Sequence, residues 1–231
     1  MSSHNFPPDS GASGEVALPF ADRADAGRQL ATRLAGLDLV DPVVLALPRG
    51  GAAVGYEVCR LLRAPLDVLV TRKIGYPGQP ELGVGAITEG GEPVYDELLL
   101  DRLGLSQQEL DATLEYEWAE LQRRIQAYRG ERELHALSGR DVIVVDDGLA
   151  TGATARAALR AVRSHGPRSV ILAAPVSSAE TATAMEMEAD TVVVLATPTG
   201  FRAVGQWYRS FDQLTDEDVV RLLNSATEER S

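Results

Sequence analysis

One cysteine, Cys59, and three histidines, His4, His135 and His165, are all the soft metal ligands in this chain of 231 residues. A disulfide within the chain is therefore excluded, and a Cys/His zinc site lacks its ligands. Lysine occurs once, at Lys73, against 21 arginines. Acid exceeds base by 34 residues to 22, a net charge of −12. Such a surface repels a phosphate backbone, so nucleic-acid binding would need a local basic patch, and no basic run is present. No apolar run approaches the ~20 residues that span a bilayer, and no basic start followed by an apolar stretch marks a secretory leader. These absences predict an acidic globular protein of a reducing compartment, cytoplasmic, with neither nucleic acid nor membrane as partner. Several nucleotide and hydrolase signatures are missing too. The single lysine does not follow a glycine as in a phosphate-binding Gly-Lys loop, no G-x-G-x-x-G follows a strand, and no G-x-S-x-G elbow occurs. A phosphoacceptor receiver domain would want a late-strand lysine, and none follows Lys73.

What is present alternates. Residues 1–17 are rich in Ser, Pro and Gly and read as a loose arm ahead of a single domain over 18–231. Ala26, Leu30, Ala31 and Leu34 recur at helical spacing up to Gly36; Val43 to Leu47 reads as a buried strand ended by Pro48-Arg49-Gly50-Gly51; a helix over Ala52–Leu62 and a strand over Leu66–Thr71 follow. Residues 72–94 carry many Gly and Pro and read as a long mobile loop, or a small antiparallel element near 75–95, with a hairpin turn at Thr88–Glu92. Ser106 with Glu109 forms a capping box that should open a long helix. Its stripe Leu110, Leu114, Trp118, Leu121, Ile125 and Tyr128 is a core face rather than a ligand box. Strands over Asp141–Val145, Ser169–Val176 and Thr191–Ala196 alternate with helices, and a last helix is capped by Thr215 with Asp218. The expected fold class is α/β, a doubly wound, mainly parallel sheet. A small hood is expected over 198–214 together with the C-terminal helix.

The segment that carries chemistry is Val142-Ile143-Val144-Val145-Asp146-Asp147-Gly148-Leu149-Ala150-Thr151-Gly152-Ala153-Thr154. Open parallel sheets bind ligands beyond the carboxyl ends of their strands, where the apolar run places Asp146 and Asp147. Adjacent carboxylates there repel each other and lose hydration unless hydroxyl donors or a divalent cation compensate. Thr151 to Thr154 form a tight turn into a helix, where small residues, free amides, hydroxyls and the helix dipole suit a phosphate. Together they describe a site for a ribose 5-phosphate.

This segment resembles the phosphoribosyl-diphosphate (PRPP) motif of the type I phosphoribosyltransferases: four apolar residues, two acidic, then Thr-Gly-x-Thr. Phe20-Ala21-Asp22-Arg23, Ala26-Gly27, Pro48-Arg49-Gly50-Gly51, Arg72-Lys73 and Trp207-Tyr208 before Phe211 extend the likeness to a bacterial branch whose members often have no assigned acceptor, over about Phe20–Leu223. The resemblance implies transfer of ribose 5-phosphate from PRPP to a nitrogenous base, with Asp146 and Asp147 on the ribose hydroxyls and the shell of a Mg2+ cofactor. It implies Ala150, Thr151, Gly152, Ala153 and Thr154 on the 5-phosphate, and Arg49, Gly50 and Gly51 in a pyrophosphate loop where a strained peptide often sits. It implies Asp147, Arg72 and Lys73 as catalytic residues, the last two on the pyrophosphate at the end of the second strand. That the lone lysine stands beside an arginine at a strand's end fits this reading. The loop over 74–94 could close as a lid, Glu81 on it is a candidate general base, and Phe201, Trp207 or Tyr208 could stack on the base or simply pack the tail. Relatives acting on 6-oxopurines usually have Asp where this chain has Ala150, so the pattern is nearer to adenine-type members. Relatives are commonly homodimers. The chain departs from the family at Gly148, where a larger apolar residue is usual, which suggests a more flexible backbone. The alternative is a non-catalytic PRPP- or nucleotide-binding regulatory protein of the same fold.

Overall fold

The computed structural model describes residues 16–229, with the backbone alone for residues 80 and 81, so nearly all of the arm expected over 1–17 lies outside the described residues. Among the described residues the strands are β1 (Val43–Ala46), β2 (Leu66–Val68), β3 (Thr71–Tyr76), β4 (Gln79–Thr88), β5 (Val94–Tyr95), β6 (Asp141–Val145), β7 (Ser169–Val176) and β8 (Thr191–Ala196). The helices are α1 (Arg23–Leu34), α2 (Gly50–Leu62), α3 (Glu97–Leu103), α4 (Asp111–Arg129), α5 (Ala153–Arg163), α6 (Ala179–Met185) and α7 (Asp216–Glu228).

Five strands form a parallel sheet in the order β2-β1-β6-β7-β8. The order reverses between β1 and β6, and at such a switch point the two following loops part and leave a crevice. The sheet is buried on both faces because its side chains alternate between two cores. Val44, Ala46, Ile143, Val145, Ile171 and Ala173 meet Leu30 and Leu34 of α1, Val54 and Val58 of α2 and Val219 and Leu223 of α7. Val43, Leu45, Val142, Val144, Val170 and Leu172 meet Ala155, Ala158, Leu159 and Val162 of α5 and Met185 of α6. The expected α/β class is what is observed. Gly27 lets α1 lie close on α2, since a Cβ there would stand 2.9 Å from the Val54 carbonyl oxygen.

Two expected elements are decided by strand pairing. The strand predicted over Leu66–Thr71 is split: β2 stops at Val68, and Thr71 begins a separate antiparallel sheet, β3-β4-β5. Arg72 and Lys73 thus start a ribbon instead of ending a parallel strand. Of the two readings of residues 72–94, the small antiparallel element near 75–95 is the one formed, with shifts of register around Gly75. The turn expected after Thr88 is present between β4 and β5, with Gly90 at φ +70°. The Ser106 capping box is formed, the Glu109 carboxylate accepting from the Ser106 N–H at 2.9 Å and hydroxyl at 2.8 Å. It caps a 3-10 turn, Gln107–Leu110, ahead of α4. The α4 stripe does pack: Leu121 and Tyr128 are buried, and Leu114, Trp118 and Ile125 lie against the same core. The sequence reading missed α3, although Asp96 caps it, accepting from the Leu99 N–H at 3.0 Å, and Gly104 closes it in the left-handed region.

Candidate functional site

The two loops that flank the switch point supply the site. After β1 the chain passes through a cis Pro48–Arg49 peptide into α2, which begins at Gly50, earlier than expected. After β6 come Asp146 and Asp147. Gly50 and Gly51 are required here by proximity: a Cβ on Gly50 would stand 1.8 Å from Asp147 Oδ2, and one on Gly51 2.6 Å from the Val145 carbonyl oxygen. The structure therefore brings the Gly-Gly turn and the acidic doublet together. Arg49, half-buried at the N-cap of α2, makes no ion pair among the described residues.

Asp147 is fixed from several sides. Its Oδ2 accepts from Arg23 Nε at 2.7 Å, both side chains being mostly buried (11% and 15% exposed). Its carbonyl oxygen accepts from the Tyr208 hydroxyl at 2.5 Å, and its N–H donates to Asp146 Oδ1 at 2.8 Å. Burial, with the Asp147 charge second, pushes the Asp146 carboxyl well above the usual range. Burial, again with Asp147 second, raises the Tyr208 hydroxyl far above its ordinary value, so it remains a donor. Sequence reasoning left Arg23 without a role and read Tyr208 only as a ring that stacks on a base or packs the tail, missing its hydroxyl bond to Asp147. Arg23 did carry a signal, a cation at the first position of a helix, where the dipole disfavours it.

Residues 149–155 form the second half of the site. Gly152, at φ +73°, is the N-cap of α5, a conformation that side chains rarely adopt. The α5 terminus has no side-chain cap beyond a long 3.5 Å contact from the Ala153 N–H to Thr151 Oγ1, so its first-turn amides face a pocket of about 130 Å³ lined by Asp146, Gly148 and residues 149–155. The loop is anchored from below: Thr181 Oγ1 donates to the Ala150 carbonyl at 2.7 Å and the Leu149 N–H to the Val176 carbonyl at 2.9 Å. The phosphate-type turn and Asp146 thus share one pocket, while the Asp147 side chain is turned to Arg23 and Gly50.

Gly148 is not explained by flexibility. A Cβ there would lie 2.5 Å from Val204 Cγ1 and 3.1 Å from Val176 Cγ1, so the position is small because the segment after β8 presses Val204 into it. That segment packs through Phe201, Val204, Trp207 and Tyr208 onto Phe20, Ala26 and Val176. Tyr208 is buried, 5.5 Å centre to centre from Phe20 and 5.0 Å from Phe211, while Phe201 stacks on Trp207 at 6.4 Å. The C-terminal helix α7 is not part of this cover; it packs on α2, α4 and β2.

Arg72 and Lys73 line a different pocket, about 250 Å³, with Tyr76, Thr113 and Glu117. Arg72 Nε donates to Glu117 Oε2 at 2.7 Å, and the Lys73 chain runs close to Gly83. This basic pair is not brought to the doublet as the ribbon stands. The Glu81 side chain lies outside the described residues. Larger hollows, about 480 and 510 Å³, lie towards the far end of α2. There Arg60 is already paired with Glu57 and Glu229, each at 3.1 Å. Two carboxylates suit Mg2+, which keeps waters and takes further oxygens from substrate phosphates. Among the described residues no cluster of three or more acidic, His or Cys ligands would cage a metal by itself, and no helix is long and apolar enough to cross a membrane.

Comparison with known proteins assigns the family. The chain is 49% identical over 207 residues to a Mycobacterium tuberculosis protein provisionally named phosphoribosyl transferase Rv0571c, and equally to MT0597 of another strain. The match covers 90% of this chain and 47% of those proteins, so the chain spans about half the length of these relatives. The solved structure of TT1426 from Thermus thermophilus is 45% identical, covers 90% of this chain and 99% of that one, and superposes with a TM-score of 0.78. The family model for the phosphoribosyl transferase domain matches residues 22–205, and the chain belongs to that family.

Proposed function

We propose that this domain transfers ribose 5-phosphate from PRPP to a ring or exocyclic nitrogen of a small base, releasing pyrophosphate. One observation supports the reading: the hydroxyl-rich turn at the α5 N-terminus lines one pocket with Asp146, and Asp147, next in the chain, stands against the Gly50-Gly51 turn. The amides of Ala153 and Thr154, with the hydroxyls of Thr151 and Thr154, hold the 5-phosphate. Asp146 and Asp147 accept from the ribose hydroxyls. The bond from the anomeric carbon to the diphosphate oxygen breaks, its electron pair leaving with pyrophosphate; the bond to the base nitrogen forms, and that nitrogen's proton passes to the departing pyrophosphate. Positive charge grows on the sugar, where the two carboxylates would face it, and negative charge on the leaving group, which Arg49 would neutralise. Preorganised charges of this kind are each worth about 3 kcal/mol. Asp146 and Asp147 would hold Mg2+, which would supply neutralising charge to the diphosphate. Arg72 and Lys73 reach the leaving group by movement of the β3-β4 ribbon, which in this reading acts as the lid.

Ala150 offers no carboxylate to a base, and its carbonyl is taken by Thr181, which favours an adenine-type acceptor over a 6-oxopurine. The same reading takes the protein as a cytoplasmic homodimer acting on small molecules. The test is pyrophosphate release from PRPP with Mg2+ over a panel of purines and pyrimidines. Turnover abolished by Asp147→Asn and by Lys73→Ala supports the proposal; unchanged turnover in both overturns it. Tight PRPP binding with no product from any base selects a regulatory protein instead.

A further inference from the structure

Arg23 is the first residue of α1, whose N-cap Asp22 accepts from the Asp25 N–H at 2.7 Å. A cation at that end is repelled by the helix dipole, so its placement needs local compensation. The guanidinium is held on three sides: Nε donates to Asp147 Oδ2 at 2.7 Å, Nη1 donates to the Asp212 carbonyl at 2.8 Å, and its face lies 3.8 Å from the centre of the Phe211 ring. Asp147 Oδ2 is in turn wedged between that Nε and the Gly50 backbone. The segment carrying Phe211 and Asp212 is tied to the residues before α1 by main-chain bonds, Phe20 N–H to Trp207, Arg209 N–H to Phe20 and Ser210 N–H to Ala21, at 2.8, 2.8 and 3.0 Å. The same segment supplies the Tyr208 hydroxyl to the Asp147 carbonyl. The covering segment and Asp147 are therefore joined through the Arg23 side chain, at the carboxylate, and the Tyr208 hydroxyl, at the main chain.

We infer that Arg23 is the positioning residue of the ribose-binding carboxylate: it fixes the Asp147 rotamer and couples it to the placement of residues 207–212. This rests on the reading of Asp146 and Asp147 as the ribose-binding pair. Arg23 touches no part of the 5-phosphate turn, so its effect falls on the sugar end of the ligand alone. Lysine cannot reproduce the planar fork or the stacked face, so it restores only part of the function.

The experiment is calorimetric titration of wild-type protein, Arg23→Gln, Arg23→Lys and Phe211→Leu with ribose 5-phosphate and, separately, with inorganic phosphate. Arg23→Gln is expected to weaken ribose 5-phosphate about 10-fold and Arg23→Lys about 3-fold, with inorganic phosphate changed less than about 2-fold. Equal affinity of wild-type and folded Arg23→Gln protein for ribose 5-phosphate overturns the inference, as does an equal loss for both ligands, which would mark a general structural role. Should Arg23→Gln not fold, Arg23→Lys and Phe211→Leu are judged by the same two criteria. A wild-type protein that binds ribose 5-phosphate no more tightly than phosphate refutes the ribose assignment itself, a result read before any variant.

Discussion

Replacing Gly50 by alanine tests the site at the point where the two loops meet. In the first turn of a helix with ordinary negative φ, Gly→Ala normally stabilises by about 0.4–1 kcal/mol, because the unfolded chain loses freedom. Here the new Cβ would fall 1.8 Å from Asp147 Oδ2 and 2.4 Å from its Cγ. The carboxylate cannot simply swing aside, since Arg23 holds it at 2.7 Å and the Tyr208 hydroxyl fixes its backbone at 2.5 Å. Moving it forfeits a charge-assisted, mostly buried hydrogen bond, about 1.5–3 kcal/mol, and leaves the side chain off its rotamer at about 0.5–1.5 kcal/mol. Against the helix gain, the net expectation is a loss of about 1–4 kcal/mol in urea unfolding. Ribose 5-phosphate affinity should fall with it. Asp147→Ala on the Gly50→Ala background removes the clash, so the Gly50→Ala penalty should vanish there and a double-mutant cycle should show strong coupling. Gly50→Ala protein as stable as wild type, with unchanged ligand affinity, would refute the packing argument.

Three further outcomes follow from the same structure. Gly148→Val overpacks against Val204 and Val176, with an expected cost of about 1–3 kcal/mol in thermal unfolding, largely recovered when Val204→Ala is added. Tyr208→Phe leaves the Asp147 carbonyl short of a buried donor and should cost about 1–3 kcal/mol with little change in fold by circular dichroism. Burial alone would raise the Asp141 carboxyl, but the Arg168 guanidinium, the Val40 N–H and the Ser169 hydroxyl outweigh it and hold it below the usual range. A carboxyl depressed in the folded state contributes stability that is complete above its unfolded value of about 3.9 and lost as pH falls through the folded value. Urea midpoints should therefore drop on acidification, and Asp141→Asn should be weaker at neutral pH with a flatter acid limb.

Local pattern was enough for the parts whose physics is local. The apolar runs ending in Asp146-Asp147 and in Arg49-Gly50-Gly51 marked two parallel strands and their ligand-facing ends, because a strand buried on both faces has no polar positions to hide it. The Thr151–Thr154 turn announced a helix start with unclaimed amides. The Ser106 box and the α4 stripe were legible for the same reason, spacing on one helix. What remained hidden depends on partners distant in sequence. That Thr71 leaves the parallel sheet is decided by pairing with Thr88, and that Arg72 meets Glu117 by the packing of α4 on the ribbon. Gly148 looked like freedom and is crowding, because Val204 lies 56 positions further along the chain and no window of sequence joins them. Arg23 and Tyr208 reach Asp147 across 124 and 61 positions. Sequence by itself determined which chemical groups stand at the strand ends, since hydrophobic period and turn residues act over a few positions; only the tertiary structure decided how those groups are held, since the atoms that hold them are neighbours in space and strangers along the chain.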